Sequence, residues 1–143
     1  RTPYIDEQVT PRRLSHLLKQ SDFVVLACPL TKETEGLIGE RELRTMKPTA
    51  TLINVARGRV VDEAWLIRAL EERWIAGACL DVFRVEPLPE TSPLWNMPDV
   101  IVTPHNSGSS PLNMGRAMAI FLDNLDRFAN GRKLRNLVLK AGT

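Results

Sequence analysis

Three short apolar runs in this chain each break off at a different polar residue. Thr51 to Ala56 stops at Arg57, Ala76 to Leu80 stops at Asp81 with Glu86 five residues on, and Val100 to Pro104 stops at His105. Runs of this length, separated by helix-like stretches, read as buried parallel strands. Open parallel sheets bind ligands in the crevice beyond the carboxyl ends of their strands. A guanidinium, carboxylates and an imidazole are therefore expected at one edge of one sheet, brought there from distant parts of the sequence.

The intervening segments complete the pattern. Thr10-Pro11 has the form of a helix start, an N-cap followed by proline at the first helical position. Leu14, Leu17 and Leu18 give that helix one apolar stripe, which ends near Ser21-Asp22. Phe23 to Ala27 reads as a strand, and Pro29 to Gly36 as a loop. A short helix near Glu40 to Met46 is stopped by Pro48. Asp62 stands where it can cap a helix carrying Leu66, Ile67, Leu70 and Trp74 on one face. A proline-rich loop through Pro87, Pro89 and Pro93 leads to a strand over Val100 to Thr103. A long helix is expected from Ser110-Pro111 to Asn130-Gly131. Its stripe of Met114, Met118, Phe121, Leu122, Leu125 and Phe128 reads as core or inter-domain packing. Strands alternating with helices define a parallel α/β fold, and right-handed crossovers place the helices on the sheet faces.

Size and charge narrow the function. A chain of 143 residues suffices for one domain with a real core. A net charge of +2 with scattered arginines gives no footprint for nucleic acid. Arg127, Arg132, Lys133 and Arg135 sit where cations complement a helix end. No apolar stretch approaches membrane-spanning length, and nothing resembles a signal peptide. Cys28 and Cys79 lie in apolar runs and read as small buried thiols of a reducing compartment rather than a disulfide. The cytoplasm is the expected location. Because the first residue is Arg1, the chain is read as part of a longer protein.

Four motifs in order are recognisable. Asn54-Val55-Ala56-Arg57-Gly58-Arg59-Val60-Val61-Asp62-Glu63 resembles the signature of the D-isomer-specific 2-hydroxyacid dehydrogenases. Leu80-Asp81-Val82-Phe83 with Glu86-Pro87-Leu88-Pro89, and Thr103-Pro104-His105, resemble the same family. So does Pro29-Leu30-Thr31 with Thr34 and Gly36, as its cofactor-facing loop. The resemblance runs from about Phe23 to Gly108. It implies the second half of a Rossmann-type doubly wound parallel sheet over residues 1–110. A long return helix and tail over 111–143 would then lead towards a substrate domain. It also implies NAD or NADP as cofactor, a small 2-keto or 2-hydroxy acid such as glyoxylate or hydroxypyruvate as substrate, and a homodimeric parent. The chain contains no Gly-x-Gly, the turn that receives the pyrophosphate in such domains. On its own it is expected to be inactive and to bind NAD(P) weakly.

Reducing a 2-keto acid requires a grip on its carboxylate, a hydride for the ketone carbon and a proton for the new alkoxide. Arg57 offers a planar fork that suits the carboxylate and polarises the carbonyl. His105 can donate the proton, and Glu86 can orient the imidazole and favour its protonated form. By resemblance, Asp81 bonds the nicotinamide carboxamide, and Val55, Ala56, Asn106, Ser107 and Gly108 line the nicotinamide pocket, beside Arg57 and His105. Pro29 and Thr34 are carried over as cofactor contacts in the same way. No metal site is expected. His16 has no motif around it and reads as a plain surface or packing residue.

The departures from the family pattern are local. Asn106-Ser107-Gly108-Ser109 replaces the commoner Ile-Ala/Gly-Gly-Ser/Thr. Trp65 and Glu72-Arg73-Trp74 are bulkier than usual, which implies repacking. Glu86 stands where formate dehydrogenases of the superfamily carry glutamine, which argues against that reaction. The rivals are a co-repressor-like binding module on the same scaffold and a phosphite-type dehydrogenase.

Overall fold

Four parallel strands carry the fold of residues 23–102: β1 (Phe23–Leu26), β2 (Thr51–Asn54), β3 (Gly77–Leu80) and β4 (Val100–Val102), ordered β1-β2-β3-β4. The structure is a computed structural model and describes residues 4–137. Each strand joins the sheet on the same side of its predecessor, so right-handed crossovers send the connecting helices to one face. Helices α2 (Glu40–Thr45) and α3 (Glu63–Glu71) follow that rule, and α1 (Leu14–Gln20), ahead of β1, packs on α2 as α2 packs on α3. Between them and the sheet lies a core that includes Leu18, Leu43, Leu52, Leu66 and Leu80.

This one-sided layering corrects the expectation of fully buried strands. The register aligns Val25, Ile53, Cys79 and Ile101 in one row across the sheet. Val25 and Ile101 in that row are 58% and 61% exposed. Successive side chains of a strand point to opposite faces, so β1 and β4 alternate rather than bury throughout.

Local chemistry sets the element ends. Pro11–Arg13 form a 3-10 turn ahead of α1, closed by the Arg13 N–H on Thr10 O at 2.9 Å; the Thr10 side chain makes no cap bond. Asp62 does cap α3, its carboxylate accepting from the N–H groups of Ala64 and Trp65 at 3.2 and 3.4 Å. Trp74 falls outside the helix expected to carry it. Arg73 takes a left-handed backbone, φ +57°, and the Trp74 N–H donates to Ala69 O at 2.8 Å. The buried face of α3 is Leu66 and Ala69. Trp74 instead stacks near Trp65, ring centroids 6.3 Å apart, with the Arg44 guanidinium 3.5 Å above it. That is where the bulky departures repack.

The chain divides into two compact units, Arg1–Ser107 and Gly108–Thr143. The second contains α4 (Asn113–Ala129), which begins two residues later than expected because Pro111 and Leu112 form a turn on Ser110. Gly131, at φ +61°, closes it. No residue of α4 is buried, and Met114, Phe121 and Phe128 are widely exposed. Its stripe therefore forms no core within these residues. The basic end pairs with its own helix, Arg127 and Arg135 with Asp123 and Arg132 with Asp126. Both cysteines are free and half-buried. Among the described residues, no helix is long and apolar enough to cross a membrane.

Candidate active site

The turn after β2 is built around a buried amide. Asn54 is 1% exposed; its Oδ1 accepts the Ala56 N–H at 3.0 Å and its Nδ2 donates to Arg57 O at 3.1 Å. The amide takes over from the strand ladder, which is why β2 stops at Asn54 and not at Ala56. Arg57 emerges from this turn with Nη1 donating to Ala56 O at 2.6 Å, and its other guanidinium donors have no protein acceptor among the described residues. The following segment pairs with residues 36–38, through Gly36 N–H to Arg59 O and Ile38 N–H to Val60 O.

Gly58 fixes this turn against the next one. A β-carbon at Gly58 would lie 1.9 Å from Phe83 C and 2.0 Å from Phe83 O. Only a residue without a side chain permits that approach. Two backbones from different strand ends are thus in direct contact, which sets the spacing between Arg57 and the Phe83–Glu86 turn.

Glu86 is anchored twice. Its Oε1 accepts the Phe83 N–H at 2.9 Å, and its Oε2 lies 2.6 Å from His105 Nδ1. The Phe83 N–H holds the Glu86 carboxyl below the usual carboxylate range; His105 and Arg57 add to this against the opposing effect of burial. Glu86 is therefore ionised at neutral pH. The Glu86–Pro87 peptide is cis.

His105 sits at φ +51°, a left-handed conformation that costs a residue with a β-carbon about 1–2 kcal/mol. Around it the loop is tied to β3. Asp81, 3% exposed, accepts from Thr103 Oγ1 at 2.5 Å, from the Asn106 N–H at 2.9 Å and from the Ser107 N–H at 2.8 Å. Burial pushes the Asp81 carboxyl up, but its bonds from Ser107, Thr103 and Asn106 outweigh that and leave it well below the usual range.

Arg57, Glu86 and His105 line one cavity of about 250 Å³, with Leu30 and Phe83. A larger cavity of about 530 Å³ shares Glu86 and His105 and is walled by Leu88, Trp95 and Val102. The three residues assigned to catalysis from sequence thus meet at the carboxyl edge of the sheet. Asp81, Asn106 and Ser107 meet beside them. Val55 is at the end of β2 and 36% exposed, while Ala56 is buried. Pro29 and Thr34 line neither cavity; Thr34 Oγ1 donates back to Pro29 O at 2.7 Å, and the neighbouring Leu30 is the loop's contribution to the site. Gly108 belongs to the second unit, where its carbonyl accepts from Asn113 Nδ2 at 2.7 Å. His16 is a surface residue bonded to Glu7 and Gln20.

Sequence reasoning passed over Asn54, Gly58 and Thr103 as site-building residues. Each had a signal: a polar residue closing an apolar run, a glycine directly after the arginine, and a hydroxyl two residues before the histidine.

Residues 2–107 match the family model described as D-isomer specific 2-hydroxyacid dehydrogenase, NAD binding domain. A glyoxylate reductase of Thermococcus gammatolerans is 50% identical over 143 residues, covering 98% of this chain and 42% of that protein. Among solved structures, a D-isomer specific 2-hydroxyacid dehydrogenase from Xanthobacter autotrophicus Py2, in complex with NADPH and MES, superposes with a TM-score of 0.80 at 44% identity. That match covers 90% of this chain and 52% of the other. An NADPH-dependent glyoxylate/hydroxypyruvate reductase from Sinorhizobium meliloti gives 0.78 at 32% identity, over 89% of this chain and 41% of its own. The chain spans roughly two fifths of the length of the curated relatives it matches. With its four-stranded parallel sheet of Rossmann type, it belongs to the D-isomer specific 2-hydroxyacid dehydrogenase family, as an NAD-binding domain.

Proposed function

We propose that the protein carrying this chain reduces a small 2-keto acid of the glyoxylate or hydroxypyruvate kind to the 2-hydroxy acid, with NADH or NADPH. One observation carries the reading: the Glu86–His105 pair at 2.6 Å shares a cavity with Arg57. The glyoxylate reductases among its relatives support the same substrate class.

Each residue has a task in that reaction. Arg57 receives the substrate carboxylate on the free donors of its fork and draws charge from the carbonyl. His105 has Nδ1 turned to Glu86, so Nε2 is left to protonate the developing alkoxide. Glu86, ionised and held by Phe83, fixes the ring and its orientation. At this edge the nicotinamide end of a dinucleotide would lie against Val55, 36% exposed, beside His105. Exposed Val55 and the loop through Asn106 and Ser107 flank the acid, and no metal-binding group of three or more ligands competes among the described residues. The reduced nicotinamide supplies the hydride when bound. A homodimeric, cytoplasmic parent enzyme is part of the same proposal.

The test is turnover by the complete protein with NADH and NADPH against glyoxylate, hydroxypyruvate and phosphite. Reduction of the keto acids supports the reading. Oxidation of phosphite alone would move the same residues to the rival reaction, and no turnover of any of them would favour a binding module.

A further inference from the structure

Two cavities adjoin along Phe83, Glu86 and His105, and they differ in chemistry. The smaller has Arg57, Arg59 and Arg84 on its wall. The larger, of about 530 Å³, is walled by Leu88, Trp95, Val102 and Pro104, and Glu86 and His105 are its only ionisable groups among the described residues. Its apolar wall is fixed in place. Leu88 is buried, the 3-10 turn Pro93–Asn96 that carries Trp95 buries Leu94, and the Trp95 indole N–H donates to Pro89 O at 2.9 Å. Trp95 nonetheless keeps 51% of its surface exposed. A tryptophan held by its N–H with its ring open is a ready apolar contact, because little rotamer freedom is left to lose on binding.

We propose that the larger cavity is the side-chain subsite of the reaction, taking the branched, apolar substituent of a 2-keto acid longer than glyoxylate. The inference rests on the reading that Arg57 and His105 act on a 2-keto acid, and it names the part of the substrate that reading left open. Carboxylate, carbonyl oxygen and substituent leave C2 in different directions. With the carboxylate on Arg57 and the oxygen towards His105, the apolar cavity that adjoins His105 is the one left for the substituent. Ionised Glu86 stands on its wall and repels a second carboxylate, so the cavity selects an uncharged group. Concave apolar walls with few polar groups are the usual form of a small-molecule site. The chemistry is unchanged: C2 accepts the hydride of NADH and the carbonyl oxygen accepts the proton from His105, giving the 2-hydroxy acid and NAD+. Glyoxylate carries only hydrogen in that direction and leaves the cavity unused.

The test compares pyruvate with 4-methyl-2-oxopentanoate, which differ only in an isopropyl group on C3, in NADH-dependent reduction by the complete enzyme. The expected kcat/KM is higher for the branched acid by about tenfold or more, the discrimination a hydrophobic pocket gives for added apolar groups. Oxaloacetate, with a carboxylate in that place, should fall below pyruvate, and faster reduction of it would contradict the apolar assignment. Val102→Phe puts a ring into the cavity and should cut the branched acid's advantage over pyruvate by about tenfold. Reduction of glyoxylate with no preference for the branched acid over pyruvate would overturn the subsite and leave the reaction standing. A preference that Val102→Phe does not touch would overturn it as well.

Trp95→Ala acts from a different element and covers a failure of Val102→Phe to fold. It removes the pinned ring, and the branched acid's advantage should fall by about fivefold or more; an undiminished advantage counts against the subsite. Should the wild-type protein reduce no keto acid, the reaction assigned above fails on its own. Binding then decides the cavity separately. The indole N–H signal of Trp95 in NMR, recognised by its loss in Trp95→Ala, should shift saturably with 4-methyl-2-oxopentanoate and not with pyruvate. Such a shift upholds the subsite, and an indole signal unmoved by the branched acid overturns it.

Discussion

An arginine and a glutamate stand together at the carboxyl edge of the sheet and, as one of several such pairs, on the helical layer; the side chains of both places are partly exposed, and what lies beneath them differs. At the carboxyl edge of the sheet, Arg57 shares a cavity with Glu86 and His105, and the supporting Asp81 and Asn54 are almost fully buried. On the helical layer, Arg68 and Glu72 pair at 2.7 Å with about half of each side chain exposed, beside the stacked Trp65 and Trp74. The first place contains a left-handed histidine and a glycine in contact with a neighbouring backbone. The second has only ordinary i,i+4 spacing and aromatic stacking. Buried charge and strained backbone are costly and persist where they are over-determined; exposed pairs of long side chains contribute little. Identical residue types thus rest on a buried, strained support in one place and on an open helix surface in the other.

The sharpest way to break this contrast is Gly58→Ala. The added β-carbon would meet Phe83 C at 1.9 Å, so one of the two turns must move. We expect a loss of about 3 kcal/mol or more in denaturant unfolding, at the top of the range for overpacking. A loss below about 1 kcal/mol would show that the Arg57 and Glu86 turns are not locked together.

Arg57→Ala should lower kcat/KM for glyoxylate by about 10²–10³-fold, the cost of losing a charged donor to a developing oxyanion. NADH binding should be little changed. Arg57→Lys should recover only part of the loss, because a point charge does not replace the fork. Wild-type efficiency in the alanine variant would place the substrate carboxylate elsewhere.

Glu86→Gln should lower kcat for reduction by about tenfold, because an amide holds Nδ1 of His105 more weakly than a carboxylate 2.6 Å away. The depressed carboxyl of Glu86 adds stability above the unfolded carboxyl pKa, and that stability is lost as pH falls through the folded value; urea unfolding of Glu86→Gln should lose this dependence. An unchanged kcat, with proton transfer limiting the rate, would separate Glu86 from the acid.

The smallest effect belongs to the other cluster. Arg68→Ala removes an exposed pair and should leave both turnover and the unfolding midpoint indistinguishable from wild type.

What the sequence disclosed follows the same division. Arg57, Asp81 and His105 each close an apolar run, so their arrival at one sheet edge was legible from the periodicity of strands alone. The family motifs added Glu86. The contacts that hold these residues in place were not legible. Thr103, Asn106 and Ser107 reach Asp81 across more than twenty residues, and no local pattern encodes such a pairing. The glycine–Phe83 approach is a backbone contact with no side chain to announce it. The apolar stripe of α4 was readable as a helix face for core or inter-domain packing; it has no buried residue among those described, and periodicity describes such a face without naming its partner. The open row at Val25 and Ile101 was missed for a related reason: a short apolar run does not say how many faces are covered.

Proton delivery by His105, held by Glu86, is open to a direct trial with His105→Gln in the complete enzyme, followed by rapid-mixing single turnover of bound NADH with saturating glyoxylate. NADH binding should match wild type and the turnover rate should fall by about a hundredfold or more, within the range for a positioned acid. NADH oxidation at the wild-type rate would assign the proton to another group.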